Sequence, residues 1–379
     1  MPLLIVILGI LLLFVLIAKF KLNAFIAFII ICVFVGVFQG MELDLIVEAI
    51  QIGMGNTLGF LVMILGLGAM LGKLISDSGA AQRITSGLVA SFGIKHIQWA
   101  VVVAGFIVGI PMFYSVGFVI LIPLVFMIAA ATGLPLIYVG LPMLASLSVT
   151  HGFLPPHPAP TAIAGMFNAD VGKTLLYGII IAIPTIIVAG PLFTRTIKNI
   201  KATPLKEFYN PIVLKDDEMP GMRISLFTTL LPILLILCST LFTLFISGES
   251  MFKQLVVFIG NPVIAMLISV LVALYTLGIS RGKKMPELMN SVSNSVSSIT
   301  MILLIIAGAG ALKQILVASG VSDYIGALLN GSSISPLILA WLIATVIRVC
   351  VGSATVAGLT AAGITVSYTH LRAHETDSY

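Results

Sequence analysis

The stretch Ser148-Val-Thr-His-Gly-Phe-Leu-Pro-Pro-His-Pro-Ala-Pro-Thr-Ala-Ile163 holds the residues best equipped for chemistry, His151 and His157, among four closely spaced prolines. Imidazoles titrate near neutral pH, so the pair could relay a proton or, with Thr150, bond the hydroxyls of a polyol. Proline at this density forbids a regular helix, and the apolar runs on either side imply a buried turn. A purely structural loop is the alternative reading. No Cys, Asp or Glu lies close in sequence, which argues against a metal site.

A second kind of chemistry is offered by Arg348, the one charge between Leu337 and Val351, just ahead of Gly352-Ser353. Ionisable groups in apolar runs are costly, and a guanidinium there could hold a carboxylate in a bidentate pair. The competing reading is an arginine snorkelling from a helix end. Two small polar clusters interrupt apolar segments, Pro111-Met-Phe-Tyr-Ser-Val-Gly117 and Val351-Gly-Ser-Ala-Thr355. Backbone groups freed by such breaks survive in a membrane only where they line a protein-enclosed or watery cavity, and helix N-termini there favour a carboxylate. Ser115, Ser353 and Thr355, with Asn56 and Thr57 upstream, are then candidate polar contacts. Close helix packing by Gly and Pro is the other explanation for the breaks.

The elements that must position these residues are set by composition. Of 379 residues only 9% are charged and 59% are hydrophobic, with mean hydropathy +1.20, whereas a soluble domain is about a quarter charged. Apolar runs of spanning or near-spanning length occur at Leu3–Ala18, Leu22–Phe38, Leu58–Leu71, Ile97–Ala131, Leu134–Val149, Leu175–Phe193, Leu226–Ile246, Leu255–Leu277, Ile299–Leu316 and Leu337–Val351. The run from Ile97 is over-long and contains Gly109-Ile-Pro111, so it is expected to break, form a hairpin or span twice. The first run lacks the basic start and small-residue end of a signal peptide and reads as a span. No strand alternation is present, which argues against an outer-membrane barrel. Cys32, Cys238 and Cys350 lie in apolar stretches and are expected as small buried hydrophobes.

The net charge of +5 sits in short clusters with no basic groove for nucleic acid. By the positive-inside rule Lys19/Lys21, Lys73/Arg83/Lys95, the segment Arg195 to Arg223 and Arg281/Lys283/Lys284 face the cytoplasm. The loop with Glu42, Asp44 and Glu48 faces outward, as does the N-terminus.

An internal repeat divides the chain. Ile64 to Ile84 aligns with Ile305 to Ile325, both small-residue-rich and both carrying Ser-Gly, and each copy is followed by a loop and one of the broken segments above. The expected architecture is an all-α polytopic membrane protein of two related, inverted repeats with broken helices or re-entrant hairpins, the sequence sign of a secondary transporter. The divisions are 1–194 (first repeat), 195–223 (cytoplasmic linker), 224–365 (incomplete second repeat) and 366–379 (a tail).

At Thr150-His151 with Gly152–Pro158, at Gly109–Phe118 and at Thr355–Ala361 the chain resembles the gluconate:proton symporter family of bacterial inner-membrane permeases, over roughly Met1 to Ile364. The resemblance implies multi-pass insertion in the inner membrane and uptake of an aldonate driven by the proton gradient, without a cofactor. It also implies a superfamily of two-repeat transporters that often form homodimers. Many members carry an acidic residue where this chain has Ser115, members continue beyond Ile364, and the second repeat has no counterpart of the His151–His157 segment. The polar stretch from Ser367, with His370 and His374, is expected to be a foreign junction on a truncated permease, a native cytoplasmic tail being the alternative. On this reading Arg348 and Ser353 hold the carboxylate, with Asn56, Thr57, Ser115, Thr150, His151, His157 and Thr355 as further contacts. A permease for another hydroxy acid and sodium coupling remain open. An intramembrane enzyme is disfavoured, since no metalloprotease motif, serine elbow or carboxylate pair is present. A channel is disfavoured because charge rings and repeated filter sequences are missing.

Overall fold

The computed structural model describes residues 2–197, 200, 214–246, 250–321, 324, 336–351 and 354–376, and among these every regular element is a helix. In chain order the α-helices are α1 (Pro2–Phe14), α2 (Ala24–Phe38), α3 (Leu43–Asp77), α4 (Ala80–Phe92), α5 (Ile97–Gly109), α6 (Tyr114–Thr132), α7 (Leu136–Phe153), α8 (Pro158–Met166), α9 (Val171–Ile187), α10 (Phe193–Thr196), α11 (Met222–Phe245), α12 (Met251–Gly260), α13 (Pro262–Ala273), α14 (Met285–Ala318), α15 (Pro336–Val351) and α16 (Ala354–Thr376). A helix pairs its own N–H and C=O groups, which a chain in hydrocarbon requires. Leu136–Met166, Val171–Thr196, Met222–Phe245, Pro262–Arg281 and Met285–Ala318 are long and apolar enough to cross a bilayer, and two bent pairs raise the count of such spans to as many as seven among the described residues. Polar residues at the helix starts satisfy the first N–H groups: Asn23 accepts from Phe25, Asp170 from Lys173, and Asn261 from Val263 ahead of Pro262.

The over-long run from Ile97 is broken. Helix α5 ends at Gly109, Ile110–Phe113 is irregular around Pro111, and α6 begins at Tyr114. The proline-rich stretch interrupts its span in the same way, with Leu154–His157 a buried turn between α7 and α8. Helix α3 is also a broken span, in two parts, Leu43–Gly59 and Leu61–Asp77.

The repeat is visible in the helix ends. Helices α3 and α14 have 35 and 34 residues, and each ends at a Ser-Gly whose glycine is left-handed, Gly79 at φ +77° and Gly320 at φ +70°. That conformation is easy for glycine alone. The capping bonds correspond one for one: Gly79 donates to Ser76 and Gly320 to Val317, Ser78 to Leu74 and Ser319 to Ile315, Arg83 to Gly79 and Tyr324 to Gly320. The serine hydroxyls repeat the pattern, Ser78 to the carbonyl of Ile75 and Ser319 to that of Leu316. Beyond them α5 and α6 in the first copy correspond to α15 and α16 in the second.

Two compact units result, Met1–Val62 with Thr161–Ala169 and Ile299–Tyr379, and Met63–Pro160 with Asp170–Ser298. Each draws on both halves of the sequence, because α3 and α14 contribute to both units.

The second unit holds the larger described cores, with Leu71, Ile75, Ile84, Val101, Leu121 and Met143 essentially inaccessible. Lipid is as apolar as these side chains, so tight packing decides which helices associate. Gly105 and Gly109 bring α5 against α7: a methyl at Gly105 would meet the Met143 carbonyl at 3.0 Å, and one at Gly109 the Thr150 hydroxyl at 2.4 Å. The outer faces stay apolar, with Ile180, Phe227, Leu271 and Tyr275 exposed. Cys32 is buried as expected, whereas Cys238 lies on an exposed face of α11, where a small apolar side chain is equally at ease against lipid. Cations assigned to the cytoplasm gather here. Lys73 pairs with Asp77, Lys283 bonds the Asp77 carbonyl, Arg83 pairs with Asp216 and Arg281 bonds the Asp217 carbonyl. Exposed pairs of this kind add little stability; their consequence is positional, tying the end of the 195–223 segment to α4.

The first unit packs α1 on α2 and α15 on α16. Gly308 of α14 admits Phe28 of α2, and Gly358 and Gly363 of α16 lie against Ile163 and Met166 of α8. Helix α16 runs to Thr376, so it includes Ser367–Thr376 of the stretch expected as a tail.

Candidate functional site

The residues with candidate chemistry are shared between the two units. In the second unit, the end of α7 and the turn after it place His157 in a fully enclosed position, 4% exposed. Its Nε2 is 2.8 Å from the carbonyl oxygen of Gly109, the last residue of α5, and its Nδ1 is 3.1 Å from Nδ1 of His151. A carbonyl can only accept, so His157 carries its hydrogen on Nε2 and its Nδ1 must accept in turn. The hydrogen between the rings therefore sits on His151 Nδ1. Phe113, from the break after α5, meets the His151 ring edge-on at 6.3 Å between centroids. Thr150 turns its hydroxyl back onto the helix, to the carbonyls of Ser146 and Leu147. The cavity next to His157 has only about 10 Å³, room for about one water.

Gly109 serves this arrangement twice, by letting α5 approach Thr150 and by presenting its carbonyl to His157. Gly109→Ala should lower the thermal stability of the purified protein, at a cost of about 1–3 kcal/mol from overpacking. A melting curve superimposable on the wild-type one would show that the α5–α7 contact yields freely.

In the first unit, the first part of α3, the end of α8 and the last third of α14 enclose a cavity of about 560 Å³. That is within the range of ligand pockets, about 300–1,000 Å³. Helices α3 and α14 cross in backbone contact here, since a methyl on Gly53 would lie 2.5 Å from the Gly310 carbonyl oxygen. Asn56 and Thr57, one turn beyond Gly53, then face Lys313 and Gln314, one turn beyond Gly310, across the cavity. Asn168 completes the polar lining from the end of α8, in the left-handed conformation (φ +52°) that asparagine tolerates after a helix.

Lys313 is half-buried and donates from Nζ to the carbonyl oxygen of Met166, the last residue of α8, at 3.1 Å. A cation at a helix C-terminus meets the negative end of the dipole. An ammonium has three N–H donors, so two remain for a ligand. Among the described residues no carboxylate lines this cavity. One ammonium surrounded by two amides of asparagine, one of glutamine and a threonine hydroxyl suits an anion that also carries hydroxyls.

Of the residues expected from sequence, Asn56 and Thr57 line the cavity, and Thr150, His151 and His157 form a separate cluster in which Thr150 and His157 are buried and His151 is half-buried. Arg348 is exposed on α15 and Thr355 is half-buried at the start of α16; neither lines the cavity. Ser115 lies in the first turn of α6, its side chain outside the described set, and Ser353 lies outside the described residues. Lys313 is not among the expected residues, although it sits within the apolar run Ile299–Leu316 and, like Arg348, is a lone charge there. Gln314 and Asn168 carried no comparable signal.

The profile of a family described as GntP family permease matches residues 1–376. The high-affinity gluconate transporter of Escherichia coli (strain K12) is 50% identical over 364 residues, covering 96% of this chain and 83% of that protein. The Gnt-II system L-idonate transporter of the same organism is 48% identical with the same coverage. The gluconate permease of Bacillus subtilis (strain 168) is 48% identical, covering 97% and 84%. Among solved structures the fold is similar to the Alcanivorax borkumensis YdaH transporter, at TM-score 0.61 and 16% identity over 92% of this chain and 82% of that one, and to Neisseria gonorrhoeae MtrF, at TM-score 0.63 and 16% identity over 92% and 80%. With broken transmembrane helices, a polar cavity containing one lysine, and relatives near half identity along almost the whole chain, this protein belongs to the GntP permease family.

Proposed function

We propose that the chain imports gluconate or a related sugar acid across the bacterial inner membrane by proton symport. The cavity between α3, α8 and α14 carries the proposal, because its single ammonium among uncharged hydrogen-bonding groups complements a polyhydroxy monocarboxylate. Lys313 takes the carboxylate. Asn56, Thr57, Asn168 and Gln314 take the hydroxyls, and a ligand lacking either feature forgoes the matching hydrogen bonds. The names of the relatives support the substrate class, gluconate and L-idonate transporters among them.

Arg348 is the second cation the sequence offers, from its place just ahead of Gly352-Ser353 in the sequence. One assay separates the two readings: uptake retained in Arg348→Ala and lost in Lys313→Met assigns the carboxylate to Lys313, and the opposite result assigns it to Arg348. A homodimer, as in the superfamily the chain resembles, is proposed as the working unit and is tested by cross-linking in membranes.

In proteoliposomes, labelled gluconate should enter by counterflow, and other sugar acids should compete. The corresponding uncharged polyol should compete at least about tenfold more weakly, the loss of one charge-assisted hydrogen bond. Concentrative uptake should collapse with a protonophore and be indifferent to a sodium gradient. Uptake that follows sodium removes the proton from the proposal, and competition by polyols equal to that by acids removes the carboxylate.

A further inference from the structure

We infer that the sugar acid reaches the substrate cavity through a second cavity stacked on its outer side, and that Gln314 is the residue through which one opens into the other. The inference rests on the import of a sugar acid proposed above, and adds the route and a selection by charge along it.

The second cavity, about 410 Å³, lies between the start of α3 and the end of α14. It too falls in the range of ligand pockets, about 300–1,000 Å³. Both cavities belong to the first unit, and the same two helices wall them in the same order. Along α3, Glu48 and Ile52 line the second cavity, and Gly53, Asn56 and Thr57 line the substrate cavity. Along α14, which runs the opposite way, Ala318 lines the second cavity, Lys313 and Gly310 line the substrate cavity, and Gln314 lines both. Because Ile52 and Gly53 are consecutive, the partition is one residue thick on α3. On α14 that residue is Gln314, whose Cβ would lie 2.7 Å from a methyl placed on Gly53.

The helix crossing therefore fixes the base of the partition, while its top is a half-buried side chain. Among the described residues no hydrogen bond holds the Gln314 amide. An amide offers two donors and an acceptor, so it can bond the hydroxyls of a sugar acid in either cavity and turn with them. Glu42, in the loop that the positive-inside rule places outside, rims the second cavity and makes it the outer of the two.

Glu42 and Glu48 set the selection. Both line the outer cavity, and among the described residues no cation does. The field there opposes an approaching anion in proportion to its charge. A monocarboxylate meets that repulsion once and finds Lys313 beyond it. A dicarboxylate meets it twice and finds the same single ammonium. The route thus favours singly charged sugar acids over diacids, by repulsion on the way in addition to fit at the end.

The route is tested with Ala318→Cys, exposed at the end of α14, combined with Cys32→Ala, Cys238→Ala and Cys350→Ala. A bulky, membrane-impermeant thiol reagent added from outside should abolish gluconate uptake, and reduction of the mixed disulfide should restore it. Uptake that persists after complete labelling, or reactivity from the cytoplasmic side alone, overturns the route. Absence of gluconate uptake by the wild-type chain is a separate result, which removes the import reading itself. If the cysteine-substituted chain does not transport before labelling, Glu42→Gln/Glu48→Gln with the native cysteines decides. At low ionic strength its kcat/KM for gluconate should rise about fourfold, roughly twofold for each carboxylate removed. Competition by the corresponding sugar diacid should strengthen by about the square of that factor, while competition by the uncharged polyol stays the same. High salt should erase both gains. A diacid that gains no more than the polyol, or gains that persist at high salt, refute the proposal.

Discussion

Lys313→Met should raise the apparent KM for gluconate about tenfold to a hundredfold and leave no concentrative uptake at low substrate. The ammonium is the one cation lining the 560 Å³ cavity among the described residues, so a carboxylate bound there has no other partner of opposite sign. A hydrogen bond to a charged group is worth about 1.5–3 kcal/mol, and each 1.4 kcal/mol is about tenfold in affinity. The substitution also orphans the Met166 carbonyl at the end of α8, which now accepts from Nζ at 3.1 Å. Lys313→Arg separates the two effects. It keeps a cation and a donor for Met166 but brings a broader head into a site built round a point charge, so it should retain part of the uptake and all of the thermal stability. A Lys313→Met protein with a wild-type KM would place the carboxylate elsewhere, and Arg348 would be the next position to examine.

Gly310→Ala should be nearly as damaging, through geometry instead of charge. The added methyl would lie 2.1 Å from the Thr57 hydroxyl and 2.7 Å from the carbonyl oxygen of Gly53. The hydroxyl can rotate away, but the carbonyl belongs to the backbone of the crossing helix, so α3 and α14 must part. Overpacking of this kind costs about 1–3 kcal/mol. The displacement falls on the two turns that carry Asn56, Thr57, Lys313 and Gln314. Uptake should drop sharply while the protein still inserts into membranes, and the melting temperature should fall. Gly53→Ala should behave alike, since its methyl would lie 2.5 Å from the Gly310 carbonyl oxygen. Wild-type uptake in both variants would mean that the two helices do not cross in contact at these glycines.

The sequence alone does not carry these expectations in the same form, and the reason differs from residue to residue. The interruptions at Pro111 and at Pro155–Pro156 were legible because proline there stands close to a glycine or in a cluster, whereas the lone Pro142, Pro184 and Pro232 stay inside helices. The Ser-Gly helix ends were legible for a similar reason, and the matching caps at Gly79 and Gly320 show the repeat in its backbone. Lys313 was equally available, one charge in an apolar run, but nothing local distinguishes a lysine that faces a cavity from one that snorkels. Arg348 stands just ahead of Gly352-Ser353 in the sequence, yet the described structure leaves it exposed on α15.

By itself the sequence determined the membrane class, the helical secondary structure, the breaks and the family resemblance, because these follow from summed composition, from single-residue backbone rules and from contiguous motifs. Only the tertiary structure decided which polar groups meet. Asn56 faces Lys313 because two glycines let α3 and α14 touch, and His157 has a defined tautomer because a carbonyl from another helix lies within 2.8 Å of its Nε2. Such meetings depend on where helices distant in the chain cross and on the few ångströms a missing side chain allows, and spacing along one chain does not encode that directly.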